Sequence, residues 1–183
     1  MKTFLTYGLA VVGLAMMGVA LVSVLTSSLS YPAARLAVTN LLRTNANRAE
    51  MLCKSTPGTF CEAIAAAIKT AAMIGSQDPA VLATATKPAY DAAVMMVRMN
   101  WKQVFGKAKM GLMAVAGSAM IAISSDTMPP VLIVLVALAT IAIGAYVLLR
   151  RADIERGLVL ARAEILPEVD RAFAEGRYAL PPR

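Results

Sequence analysis

The sequence contains no histidine, only two cysteines and a single tryptophan, and only 16% of its residues are charged. Without histidine the commonest general base and metal ligand is missing, and two cysteines alone make a zinc site hard to build. There is no Gly-rich phosphate loop and no nucleophile elbow. An enzyme would lack its usual machinery here, so no catalytic residue, cofactor or metal is expected. The net charge is +7, yet Lys and Arg are spread along the chain with no basic run and no RNA-binding aromatic motif. That distribution argues against nucleic acid as a partner.

Charge is scarcest between Lys109 and Arg150, where the only charged side chain is Asp126. Two apolar runs flank it. Pro130 to Leu149 is a run of twenty residues, about 30 Å as a helix, which matches the hydrocarbon thickness of a bilayer. Met110 to Ser125 is sixteen residues, about 24 Å as a helix. It must borrow Val104 and Phe105 below it, with Lys107 and Lys109 reaching to headgroups, or thin the bilayer locally. Ser124 to Pro130 between the runs is a tight polar turn, so the pair reads as a transmembrane hairpin. A third apolar stretch lies between Lys2 and Arg35, a run of 32 residues without a charge. It exceeds the apolar core of a cleaved signal, so it reads as a retained helix. Its Gly8, Gly13 and Gly18 recur every five residues, which is no helical face, although small residues permit close packing. With 58% apolar residues and a mean hydropathy of +0.66, the lipid bilayer is the expected surrounding.

The segment 35–109 carries ten Lys/Arg against four Asp/Glu, a net +6. The hairpin turn holds only Asp126, and Arg150-Arg151 opens the tail. Because Lys and Arg near membrane ends mark the cytoplasmic side, the amino terminus and the turn are expected outside. Residues 35–109 and the carboxyl tail are expected inside, with Lys2 dissenting.

Helix signals fill the polar parts. Tyr31 to Arg43 is expected to continue the first membrane helix after a kink at Pro32. Asn47 can cap a short helix reaching Lys54, and Thr59-Phe-Cys-Glu62 fits a capping box. Phe60, Ile64, Ile68, Ala71 and Ile74 then repeat at helical spacing until Gly75. Asp78-Pro79 opens another short helix, and Pro88 starts a longer one with Tyr90, Val94, Val97, Trp101 and Phe105 on its apolar stripe. After Arg150, the positions Ile154, Leu158, Ala161, Ile165, Val169 and Phe173 extend the last membrane helix, with a bend near Pro167. Glu168 and Arg171 can pair on its outer face. The expected fold class is an all-α integral membrane protein with three transmembrane helices, a cytosolic helical layer and a long helical carboxyl-terminal extension. Its parts are 1–34 (first span), 35–109 (cytosolic segment), 110–149 (hairpin) and 150–183 (tail).

Candidate sites are few. Cys53 and Cys61, eight apart across a Pro-Gly turn, suit a disulfide in an oxidising compartment, whereas the charge pattern places them in the cytosol as free thiols. Ser118 and Thr140 are the interior hydroxyls of the hairpin, at similar depth on antiparallel neighbours. They can line an ion or water pathway, or each can bond its own backbone carbonyl four residues back. No Asp, Glu, Lys or Arg lies inside any span. A partner would have to supply the carboxylate if ions cross. Tyr146 reads as an interface anchor, and Trp101 as core.

One outside-in helix, a cytosolic helical loop, a hairpin and a helical tail together resemble the MotA/TolQ/ExbB proton-channel family. Val136-Ala-Leu-Ala-Thr-Ile-Ala-Ile-Gly144 looks like the Ala-Thr…Gly stretch of that family's last helix, with Thr140 at its pore threonine. Gly117-Ser118 stands where the penultimate helix usually has Gly-Thr. There are three departures: no glutamate ahead of Thr140 as in the TolQ/ExbB branch, a shorter outer turn, and a short second span. The resemblance implies a subunit of the bacterial inner membrane, in a homo-oligomeric ring, pentameric in the family. The ring would surround a single-span partner whose intramembrane Asp carries the proton. The small residues of the hairpin, such as Ala114, Gly117, Ala137 and Gly144, are compatible with that packing. The alternatives are a non-conducting scaffold subunit of a larger assembly, and an inverted protein whose 35–109 segment is exported and disulfide-linked.

Overall fold

In the computed structural model, residues 2–27 and 29–177 are described, and all regular structure among them is helical. The elements are α1 (Lys2–Thr26), α2 (Tyr31–Thr44), α3 (Ala46–Lys54), α4 (Phe60–Ile74), α5 (Pro79–Ser125), α6 (Pro130–Glu164) and α7 (Leu166–Ala174). Three helical stretches are long and apolar enough to cross a membrane, within 3–44, 79–125 and 130–174. By length and composition, these three stretches have the character of a multi-pass membrane protein. Two compact units share these elements: Met1–Thr26 with Trp101–Ala152, and Ser27–Asn100 with Asp153–Arg183.

The first unit is an apolar bundle of α1, the last part of α5 and the first part of α6. On α1 the buried positions are Thr6, Ala10, Gly13, Met17, Ala20 and Val24, alternating spacings of four and three. On α5 they are Ala108, Gly111, Val115, Ser118 and Ala122, in the same rhythm. Two such seams are the condition for side chains to interlock along a left-handed crossing. The helices run antiparallel, since Thr6 meets Ser118 while Gly13 meets Gly111. A Cβ on Gly13 would stand 2.7 Å from the Gly111 carbonyl oxygen, and one on Gly111 would stand 2.7 Å from that of Gly13. No side chain fits between the backbones there. Gly8 and Gly18 have open space instead, so of the three glycines spaced five apart only Gly13 packs tightly. α5 ends in a Schellman turn: Asp126 takes a left-handed φ of 46°, and the Thr127 amide reaches the Ala122 carbonyl at 3.3 Å. Along the apolar part of α6, only Thr140 and Val147 are fully buried. Trp101 is buried and its ring stacks on Phe105 at 5.6 Å. Arg150 donates to the Tyr146 hydroxyl at 3.3 Å.

The second unit packs α2, α3, α4 and α7 around the first part of α5 and the last part of α6. Val38 and Leu42, Cys53, Phe60, Ile64 and Ile68, Leu82, Tyr90 and Val97, Leu158 and Ile165, and Val169 and Phe173 form its core. Most of the apolar stripes read from the sequence are therefore the buried ones, although Ile74 is 39% exposed. Tyr90 donates to the Leu158 carbonyl at 2.7 Å and Thr86 to Asp170 at 2.8 Å. At the rim Arg98 forks onto Glu155, Arg162 pairs with Asp91 at 2.8 Å, and Glu164 receives both Tyr31 and Arg35. Glu168 does pair with Arg171 at 3.1 Å, and Arg43 approaches it at 3.5 Å.

Several local expectations are corrected. Pro88 does not start a helix: α5 runs unbroken through it for 47 residues, about 70 Å. The lost hydrogen bond is tolerated because Leu82, Thr86 and Tyr90, one above another on the buried face, anchor the helix on both sides of the proline. Pro32 does not kink a continuous helix either. α1 stops at Thr26, and α2 begins afresh with Pro32 in its first turn, where a missing N–H is harmless. The cap of α3 is Asn45, whose side-chain Oδ1 accepts from the amides of Asn47 and Arg48 at 3.0 and 3.3 Å, while Asn47 lies inside the helix. The capping box of α4 is shifted by one: Thr59 accepts from the Cys61 amide, and Glu62 accepts from Gly58 at 2.7 Å. The last helix does break near Pro167, as expected: α6 ends at Glu164, and α7 restarts after Ile165 with the proline in its first turn. Gly75 closes α4 in a left-handed cap at φ 63°, as its sequence position predicts.

Candidate functional site

The hairpin hydroxyls belong to the first unit, and both are buried, Ser118 at 3% and Thr140 at 5% exposure. They line one cavity of about 230 Å³ between α1, α5 and α6. Its other walls are apolar: Ala10 on α1, Val115, Ala116 and Ala119 on α5, Met128 in the turn, and Ile133, Val136 and Ala137 on α6.

The two hydroxyls do not bond each other. Thr140 donates to Val136, four residues back on its own helix, at 2.7 Å. Ser118 does not bond its own helix: it crosses to the Thr6 carbonyl on α1 at 2.9 Å. In an apolar surrounding an unpaired hydroxyl is costly, and a neighbouring helix carbonyl serves as well as the helix's own.

Sequence reasoning missed Thr6. It is fully buried, and its hydroxyl lies 3.3 Å from that of Thr127 in the turn, which lies 3.4 Å from Ser125. Ser125 in turn donates to the Ile121 carbonyl. Thr6, Ser118, Ser125 and Thr127 thus form a polar seam fastening the start of α1 to the hairpin turn. The only signal for Thr6 was register with Ala10, Gly13 and Met17, with no mark that sets it apart from the hydroxyls of Thr3 and Tyr7 nearby. It acquires meaning only once α5 is known to pack there.

Chemically, the surface of the cavity is almost wholly apolar, with both hydroxyls engaged by backbone carbonyls and no ionisable side chain among the lining residues. It suits an apolar group or the face of another helix. Among the described residues no three His, Cys, Asp or Glu side chains are grouped to hold a metal.

The second unit holds the other candidates. Cys53 and Cys61 are free thiols, buried and in hydrogen-bonding contact with one another. The Cys53 thiol is pushed up by that bond and by burial. Cys61 is lowered to about 7, chiefly because Cys53 donates to its thiolate and further because the Thr56 and Thr59 hydroxyls surround it, with burial opposing. Comparison with protein-family models, with curated proteins and with solved structures found no match to this chain.

Proposed function

We propose that this chain is an inner-membrane, stator-like subunit of a proton-driven energy-transducing complex, related to the MotA/TolQ/ExbB proteins. Its amino terminus lies outside and its carboxyl tail inside. Copies form a ring, five under the resemblance, around a single-span partner whose intramembrane aspartate carries the ion. One observation supports the reading most: Ser118 and Thr140, from antiparallel helices, line the same cavity, and none of its lining residues is ionisable. A proton path built on this chain therefore takes its carboxylate from elsewhere. The nearly unburied apolar face of α6, with Val134, Leu138 and Ile141 outward, is also suited to neighbouring helices.

A second reading, a non-conducting scaffold subunit, draws on the hydroxyls themselves. Both already donate to backbone carbonyls, and the walls around them are apolar.

Proton flux decides between these readings, measured in proteoliposomes holding the complex co-purified with its single-span partner. The stator reading expects Thr140→Val to cut flux at least tenfold while the complex still assembles. Unchanged flux in that variant, or no flux at all from the assembled complex, leaves the scaffold. Orientation is tested separately. Met51, 72% exposed, is a more accessible reporter than the buried Cys53 and Cys61. Met51→Cys in a chain with both native cysteines changed to Ala should resist a membrane-impermeant maleimide in intact cells. Labelling there would invert the protein and remove the stator reading.

A further inference from the structure

Neither cysteine is needed by the proposed membrane function, yet the fold brings the chain's only two thiols together. Cys53 sits in the last turn of α3 and Cys61 in the first turn of α4, joined by the turn 55–59. We infer that Cys53 and Cys61 are a reversible dithiol–disulfide pair, oxidised by small-molecule disulfides of the glutathione class, that pins the end of α3 to the start of α4.

Three features of the site carry this. Both thiols are buried on either side of one short turn, Cys53 in the last turn of α3 and Cys61 in the first turn of α4, two helices that pack on each other. The two sulfurs are also unequal, as an exchange reaction requires. Cys61 stands at a helix amino terminus, where exposed amides and the helix dipole favour a thiolate, and the Thr56 and Thr59 hydroxyls lie beside it. Cys53 stands at a helix carboxyl end, where the bond to Cys61, burial and the charge of Glu50 hold its proton. Finally, the covering turn is thin. Ser55 and Pro57 are exposed, and Gly58 takes a positive φ of 75°, so opening four or five residues uncovers both sulfurs.

The chemistry balances as thiol–disulfide exchange. The Cys61 thiolate attacks one sulfur of the small disulfide, forming a mixed disulfide and expelling a thiolate. Cys53, its proton passing to solvent, then attacks the Cys61 sulfur and expels the second thiolate. Two protein thiols lose two electrons, and one small disulfide becomes two thiols.

The test uses the full chain in nanodiscs, equilibrated in glutathione buffers of graded ratio, quenched with acid, alkylated and weighed intact. The expected result is one transition to a chain lacking two hydrogens and accepting no alkyl group, fully reversed by dithiothreitol. At a given ratio the same chain in denaturing detergent should be oxidised at least tenfold less, because the fold no longer holds the sulfurs together. Cys53→Ala should accumulate glutathione on Cys61. Two free thiols at the most oxidising ratio, a glutathione adduct as the wild-type end product, or equal oxidation of folded and denatured chains would each overturn the inference. The wild-type measurements decide it even if a variant folds poorly.

Discussion

Gly13 and Gly111 approach each other so closely that a methyl on either would collide with the backbone of the other, at 2.7 Å. This crossing sets how the first helix lies on the hairpin, and it requires hydrogen at both positions because the obstruction is main chain that cannot rotate away.

Gly13→Ala and Gly111→Ala are each expected to destabilise the folded protein by about 1–3 kcal/mol, the usual cost of overpacking a tight contact. Gly8→Ala and Gly18→Ala, at positions with open space, should be neutral or slightly stabilising. Thermal unfolding in one detergent compares all four, and equal losses would refute the crossing.

Ser118→Ala removes a hydroxyl that ties α5 to α1, whereas Thr140→Val removes one that bonds only its own helix. The first should cost about 0.5–1.5 kcal/mol, the range of interhelical polar bonds in membranes, and the second close to nothing. Unfolding of the isolated subunit reads both. A larger loss at Thr140 would mean that its hydroxyl has a partner other than Val136.

Asp170 accepts a hydrogen bond from Thr86, and burial raises its pKa, opposed by that bond and by Lys87. Folding thus favours the protonated carboxyl. Its contribution to stability is present below the ordinary carboxylate pKa and is lost as pH rises through the raised one. Asp170→Asn keeps an acceptor for Thr86 and discards the charge. It should melt higher than wild type at pH 7, and the gap should shrink as pH falls towards 4. A gap that is constant with pH would show that Asp170 does not titrate differently on folding.

Cys61 should react with iodoacetamide with a midpoint near its lowered pKa of about 7. Replacing Cys53 by Ala removes the thiol that donates to the Cys61 thiolate, the largest lowering influence, so the midpoint should move up. The pH profile of single labelling, followed by mass, checks this, and an unmoved midpoint would leave the helix terminus and threonines as the whole cause.

Much of the fold was legible in the chain. The long uncharged runs, the Gly75 stop, the stripes around Tyr90 and Leu158 and the Glu168–Arg171 pair all follow from residue type and spacing within one segment. Ser118 and Thr140 could be picked out because so few hydroxyls interrupt the hairpin runs. Thr6, fully buried and bonded to Thr127, was not picked out, because nothing local separates it from Thr3 or from any other hydroxyl near a helix start.

The amino-acid sequence by itself determined that the protein is helical and where three segments are long and apolar enough to cross a bilayer. Helix length, apolar run and caps are properties of neighbouring residues, and backbone hydrogen bonds in lipid leave a lone apolar segment no other regular form. Only the tertiary structure decided that α5 continues through Pro88, that Ser118 bonds to Thr6, and that Gly13 rather than Gly8 or Gly18 is the point of close approach. Each of these depends on which distant segment supplies the packing surface or the carbonyl, and that choice is made by the fit of whole helix faces rather than by any residue's own propensity.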